Sequence, residues 1–366
     1  MTPLRIVHSE AAVSFGGQEH RIFKEMIAMR ERGHHMEAIC QSRAQLVKRL
    51  TDEGFTVHQV DMDGVPNYFK GIAAIRRILR EGRFDVLNTH SRRDTVIAAP
   101  AARMAGTPLI VRTRHLASKV GSMWSYTILP HRVTTVSDHV REYLITRGVP
   151  REHVATLYSP IVPPPPIEKS TLRDELGLAD TDIVVGCVAV MRPAKGHVAL
   201  IDAMRPLMAT RPDLHLVFVG SGSPTFERVR AYIDELGLQP RIHLMGTRRD
   251  VPNLLAGFDL FALATEQEAS GTVYVEAQAS GLPVVGTDVG GVSEMFRDGV
   301  SGFLVPSKDQ AALTDALRRL IDDPALRRQM GEAGRRMIRE EGVFSPQRLA
   351  ERTELIYRKW LAERRR

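Results

Sequence analysis

The sequence predicts an α/β protein built from two Rossmann-like domains facing each other across a cleft. Three observations carry that expectation. Strand-like and helix-like segments alternate through both halves, the pattern of βαβ units around a parallel sheet. A run of four prolines, residues 163–166, interrupts the alternation near the middle. The length, 366 residues, exceeds one ordinary core and suits two. The expected divisions are residues 1–165, residues 166–345, and a last segment, 346–366, that packs back toward the first domain.

The first half opens on a short apolar strand, residues 4–8. Gly16-Gly17 follows, then a helix over 18–32 with Ile22, Met26, Ile27 and Met29 on one side. Gly33 stops it. Residues 36–40, 84–88, 109–111 and 133–136 read as further strands, with helical text at 71–80 and 96–105. Residues 160–167, proline-rich, cannot continue a helix or a central strand and read as an extended linker. The alternation then restarts. Strands are expected at 183–190, 215–219, 242–245, 260–264 and 283–287. Helices are expected at 197–210, 226–236, 273–279, 311–321, 324–339 and 347–363. The chain ends in Arg364-Arg365-Arg366.

Composition is that of a globular protein, with 43% hydrophobic and 25% charged residues. No apolar run reaches the length of a membrane span, and the N-terminus lacks the apolar core of a secretion signal. Cys40 and Cys187 lie far apart in apolar surroundings and read as buried thiols in a reducing cytosol. Residues 1–165 carry 23 Lys and Arg against 15 Asp and Glu, whereas the remainder carries 27 against 28. The positive excess therefore lies in the first half. That suits an anionic substrate or an anionic membrane surface as well as a plain solvated face. Only 6% of residues are aromatic, too few for base-stacking platforms, and no nucleic-acid motif is present.

The chemistry concentrates in Glu268-Ala-Ser-Gly-Thr-Val-Tyr-Val-Glu276. A strand ends just before it and a helix begins within it, so Ser270-Gly271-Thr272 falls at a helix N-terminus. Free amides and the helix dipole there suit an anionic group. Glu276, about one turn in, can accept hydrogen bonds from two vicinal hydroxyls. Taken alone, the pair also fits the bland rule that acids favour a helix's first turn. Arg192-Pro-Ala-Lys195-Gly196 follows the first strand of the second half, where a fork and a point charge suit a diphosphate. Gly220-Ser-Gly222 is a tight strand-to-helix turn, weak evidence for a phosphate loop. His90 and His115 both fall at strand ends, where such sheets bind ligands. Asp61-Met-Asp63 has metal-motif spacing, but the loop reading is preferred.

In order along the chain, these motifs resemble the retaining glycosyltransferases of family 4, which have the GT-B fold. The Glu268-to-Glu276 spacing, Gly281-Leu-Pro-Val-Val285, Gly290-Gly291-Val-Ser-Glu294, Gly299 and Gly302-Phe-Leu-Val305 all match. The resemblance implies a nucleotide-sugar donor as substrate; with Arg192, Lys195 and the amides at Ser270–Thr272 to meet its diphosphate charge, no metal and no other cofactor is expected. It implies that Glu276 holds the ribose and Glu268 meets the transferred sugar. Arg192 and Lys195 would hold the diphosphate, although Val190 stands where the family more often has its arginine. Arg248 and Val251 resemble the base-contacting loop, and Gly16-Gly17 the family's loop near the donor phosphate and the acceptor; Gly220, in its tight turn, is read as lying near the nucleotide. His115 resembles the family's histidine that touches the donor sugar, followed here by Leu116 instead of Asp. Ser159-Pro160 replaces an Asn-Gly on the acceptor side. The implied catalytic set is His115, Glu268, Arg192 and Lys195. The implied donor set adds Gly16, Gly17, Gly220, Arg248, Val251, Ser270, Gly271, Thr272 and Glu276.

The implied activity is sugar transfer to a hydroxyl of a glycan or lipid-linked acceptor, with retention, in cell-surface polysaccharide or lipopolysaccharide synthesis. The implied location is cytoplasmic, peripheral on the inner face of the membrane. Two rivals are a sugar-nucleotide epimerase of the same architecture and a non-catalytic nucleotide-sugar binder. Turnover with an acceptor separates the first reading from both.

Overall fold

The computed structural model describes residues 2–365; Met1 and Arg366, the two chain ends read above, lie outside it. The chain forms two compact units. One runs to Pro160 and takes in Phe344 onward; the other is Ile161–Val343. Residues 161–167, in the proline run, form neither helix nor strand, since proline lacks the donor that both ladders need.

The first unit runs β1 Arg5–Glu10, α1 Gly17–Glu31, β2 His35–Cys40, α2 Gln45–Asp52, β3 Thr56–Gln59, α3 Val65–Gly82, β4 Val86–Thr89 and α4 Arg92–Ala105. It continues with β5 Leu109–Arg114, α5 Trp124–Thr127, β6 Arg132–Thr135, α6 Asp138–Thr146 and β7 Val154–Thr156. All seven strands form one sheet in the order β3-β2-β1-β4-β5-β6-β7, every neighbouring pair parallel. The order reverses between β1 and β4, and that switch point is where open α/β sheets bind ligands.

The second unit runs α7 Leu172–Leu176, β8 Ile183–Val188, α8 His197–Met208, β9 Leu214–Val219, α9 Thr225–Glu235, β10 Ile242–Leu244 and α10 Val251–Ala256. It continues with β11 Leu260–Leu263, α11 Thr272–Ala279, β12 Val284–Asp288, β13 Gly302–Pro306, α12 Gln310–Asp322 and α13 Pro324–Arg339. Its sheet order is β10-β9-β8-β11-β12-β13, again parallel, with the switch point between β8 and β11.

The last helix, α14 Pro346–Arg365, belongs to the first unit. Its Ala350, Tyr357, Trp360 and Leu361 lie on one helical stripe and are buried in one cluster with Leu4, Ile6, Ile22 and Met26. The Tyr357 hydroxyl accepts a hydrogen bond from Asn88 Nδ2 at 3.0 Å.

Most expected strands and helices are present with ends shifted by a few residues. The strand expected to reach residue 190 ends at Val188, because the chain peels away there to form the loop that carries Lys195. Helix α3 starts at Val65, not residue 71, with Gly64 as its N-cap at φ 77° and proline in its first turn. Strands β3, β7 and β13 were not expected. β3 is a half-exposed edge strand and β7 has three residues, too short for a period-2 pattern to show.

Candidate functional site

In the second unit, the loops after β8 and β11 flank the switch point and are stitched together. The Ala194 carbonyl accepts Glu266 N–H at 2.7 Å and the Thr265 hydroxyl at 2.9 Å. Gly196, at φ 66°, caps α8; a Cβ there would stand 1.8 Å from the Ala264 carbonyl oxygen. Only glycine permits both the left-handed backbone and that approach. Lys195 Nζ consequently meets Glu268 Oε2 in an ion pair. Two residues read as separate ligands of diphosphate and sugar are thus one charged pair.

Three further contacts hold Glu268. Its Oε1 accepts Ala269 N–H at 3.2 Å, and its carbonyl accepts Gly291 N–H at 3.2 Å. Gly290, at φ 58°, packs so closely that a Cβ would stand 1.8 Å from the Glu268 carbonyl oxygen. The Gly290-Gly291 pair, read from the sequence only as a family match, therefore shapes the Glu268 loop.

Ser270 and Gly271 are buried, and Gly271 at φ 84° caps α11, whose first residue is Thr272. The first amides of a helix have no intrahelical acceptor, so this end can receive an anion. Helix α11 is pinned from behind. The Tyr274 hydroxyl donates to the Leu263 carbonyl at 2.7 Å, and Gln278 Nε2 donates to the Met295 carbonyl at 2.9 Å. Glu276 is half-buried in the middle of α11.

Arg192 is exposed and pairs with no carboxylate among the described residues. Val190 is also exposed. Gly220 and Gly222 serve close packing: Cβ atoms there would stand 1.9 Å from Ala189 O and 2.4 Å from Met191 O. They bring the β9 end against the β8 loop. Val251 begins α10. Arg248 is clamped by Glu175 and Asp250, with contacts of 2.6 and 2.8 Å. The two carboxylates raise its pKa above the usual arginine value.

In the first unit, Gly16 caps α1 and its N–H donates to Glu19 Oε2 at 2.7 Å. Gly16 has an ordinary φ of −124°, and a Cβ at Gly17 would meet nothing within 4 Å. Packing does not demand glycine there; it leaves open space beside a helix N-terminus. His90 and His115 come together: His90 Nδ1 lies 3.0 Å from His115 Nε2. His8, which sequence reasoning passed over, joins them, its Nδ1 2.8 Å from His90 Nε2. Its signal was its place on the first strand, beside the strand that leads to His90. Burial pushes His90 and His115 well below the ordinary histidine pKa.

The loop after His115 is anchored by two buried arginines that sequence reasoning also missed. Arg112 lies 3.7 Å from the centre of the Tyr126 ring and donates to Ser125 O at 2.9 Å. Arg114 donates to the Tyr126 hydroxyl at 2.5 Å. Asp63 is held between Arg43 and Arg93, and Asp61 accepts from Ser42 at 2.8 Å. Both carboxylates of the metal-like spacing thus have protein partners. Cys40 and Cys187 are buried free thiols whose pKa burial pushes up to about 12.

Comparison with known proteins bears on this arrangement. Residues 15–163 match the family described as Glycosyltransferase Family 4, and residues 168–337 match Glycosyl transferases group 1. A GDP-mannose-dependent monoacylated alpha-(1-6)-phosphatidylinositol monomannoside mannosyltransferase of Corynebacterium glutamicum is 30% identical over 297 residues, 73% of this chain and 75% of that protein. The chain belongs to the family 4 glycosyltransferases. It is a glycosyltransferase that uses nucleotide-sugar donors, and the epimerase reading is not favoured. A UDP-Gal:alpha-D-GlcNAc-diphosphoundecaprenol alpha-1,3-galactosyltransferase of Escherichia coli is 24% identical, covering 88% of this transferase and 89% of that enzyme. Among solved structures, a glycosyltransferase from Rickettsia africae matches with a TM-score of 0.88 at 21% identity over 99% of both chains. Anabaena HepE in complex with UDP matches at 0.84 and 22% identity, over 96% of the transferase and 99% of that chain. These likenesses identify the fold as GT-B. No helix among the described residues is long and apolar enough to cross a membrane.

Proposed function

We propose that the transferase moves a sugar, with retention of anomeric configuration, from its nucleotide donor to a hydroxyl of a glycan or lipid-linked acceptor in surface polysaccharide or lipopolysaccharide synthesis. One observation carries the donor side: the Lys195–Glu268 pair and the open amides of α11 converge at the β8/β11 switch point. The departing diphosphate gains negative charge as the glycosidic bond breaks. Arg192, Lys195 and the amides at Ser270–Thr272 stabilise that charge, and no metal is assigned a part in the step. Each donor aimed at developing charge is worth roughly 3–4 kcal/mol of barrier. Glu276 takes the ribose and Glu268 the sugar; Gly220, Arg248 and Val251 border the nucleotide. In the first unit, the open space at Gly16-Gly17 admits a ligand and His115 offers a ring nitrogen to a sugar hydroxyl.

The acceptor reading draws support from the two curated relatives, whose names specify lipid acceptors. It also draws on α3, which exposes Val65 and Phe69 beside Lys70, Arg76, Arg77 and Arg80. Apolar and basic side chains on one helix suit an anionic bilayer surface, which supports the reading of a peripheral membrane location.

A panel of UDP-, GDP- and ADP-sugars tests the donor reading by thermal shift and then by released nucleotide. A stabilising donor whose effect disappears in Glu276→Ala is expected; no shift with any donor would sink the reading. The anomeric proton coupling of the product reports retention. Binding to anionic vesicles that weakens with salt is expected for the membrane location, and equal partitioning onto neutral vesicles would refute it.

A further inference from the structure

The three histidines of the first unit lie on adjacent strands. His8 is on β1, His90 follows β4 and His115 follows β5, so the row crosses the switch point of that sheet. His8 and His90 are buried and stacked, with ring centroids 5.0 Å apart; His115 is partly exposed. The row thus runs from the interior outward. Its middle ring is fixed at the backbone, because Asp94 Oδ2 accepts His90 N–H at 2.8 Å.

Burial holds all three rings below the ordinary histidine pKa, so each is a neutral imidazole with one ring proton. The two contacts, 2.8 and 3.0 Å long, each need one proton. Only two arrangements satisfy both. If His90 carries its proton on Nδ1, His8 must carry one on Nδ1, and His115 must expose Nδ1–H. If His90 carries it on Nε2, His115 donates from Nε2, its Nδ1 is bare, and the His8 proton sits on Nε2. The rings therefore switch together.

We propose that His8 and His90 are positioning residues that set the tautomer of His115, and with it whether its Nδ1 donates to or accepts from a hydroxyl of the sugar. The proposal rests on the reading that His115 meets the sugar. Long-range proton–nitrogen spectra of the full chain labelled with ¹⁵N-histidine test it without any substitution. The three rings are expected in one matched set, all Nδ1–H or all Nε2–H, and a mixed set would overturn the proposal. Kinetics supply the second arm. His90→Leu is expected to lower kcat about 10- to 100-fold, the scale seen when a group that orients a functional histidine is removed, with KM for the donor little changed. His90→Gln, whose amide can meet His115 Nε2 either as acceptor or as donor, should recover part of that loss. Equal activity of the Leu and Gln variants, or a kcat within two-fold of wild type in both, would overturn it. Should His90→Leu not fold, the wild-type tautomer and the Gln variant decide. Full activity in His115→Ala would instead refute the reading beneath, while the spectra still report whether the rings are coupled.

Discussion

Gly290 and Gly299 offer a matched pair for testing how the Glu268 loop is shaped. Both glycines hold left-handed backbone, at φ 58° and 70°. Any side chain costs roughly 1–2 kcal/mol in that region. They differ in space: a Cβ at Gly299 would meet nothing within 4 Å, whereas one at Gly290 would stand 1.8 Å from the Glu268 carbonyl oxygen. Contacts under 3.0 Å are essentially unknown for real Cβ atoms, so the Glu268 or Gly290 backbone must shift by at least about 1.2 Å. Misplacement of about 1 Å in a catalytic group costs on the order of 100-fold in rate, or ~2.7 kcal/mol of barrier. Gly299→Ala should therefore lower the melting temperature by about 2–8 °C and leave transfer nearly intact. Gly290→Ala should lose at least as much stability and about 100-fold in kcat/KM. The assay is nucleotide release from the productive donor, with melting measured on the same preparations. Transfer by Gly290→Ala within two-fold of Gly299→Ala would refute the view that this glycine places Glu268.

Three other outcomes follow. Arg192→Ala should weaken nucleoside diphosphate binding by roughly 10-fold, the loss of one charged hydrogen bond, with an unchanged melting temperature because the side chain is exposed; calorimetry with UDP, GDP and ADP checks both. Trp360→Ala should cost about 3–5 kcal/mol, because the ring is buried between α14 and the first sheet's core; denaturant unfolding measures it. Burial, followed by the neighbouring Asp94, raises the Glu10 pKa. Its contribution to stability is complete below the ordinary carboxylate range and is lost as pH rises toward and past neutrality, since the unfolded chain ionises first. Glu10→Gln should flatten that decline between pH 5 and 8, and an unchanged slope would count against a protonated, buried Glu10.

Alternating hydrophobic periodicity was enough to identify two parallel α/β units, because buried strands and amphipathic helices must show their packing in composition. Helix ends were legible where glycine took positive φ, as at Gly33. Lys195 and the Ser270–Thr272 turn were singled out because each follows a strand, and strand ends are where such sheets bind; Glu268 was singled out by the family resemblance. What the linear order hid was adjacency. Lys195 and Glu268 are 73 positions apart and pair because β8 and β11 are neighbours at the switch point. The Gly290 contact with Glu268, like the approach of Gly220 to the β8 loop, depends on backbone atoms that no local pattern records. Arg248, expected at the base-contacting loop, also pairs with Glu175, 73 positions away, and with Asp250.

The sequence by itself determined the fold class, through periodicity, and residue types suited to a diphosphate, through local backbone chemistry; the sugar entered only through the family resemblance. Only the tertiary structure decided which of those residues share charges and protons. His8 shows why. In the sequence it is one polar residue in an apolar strand; in the sheet it lies beside β4, is stripped of water, and acquires a meaning through His90 and His115. Hydrogen-bond geometry and burial are properties of neighbours in space, and strand order, not chain order, selects them.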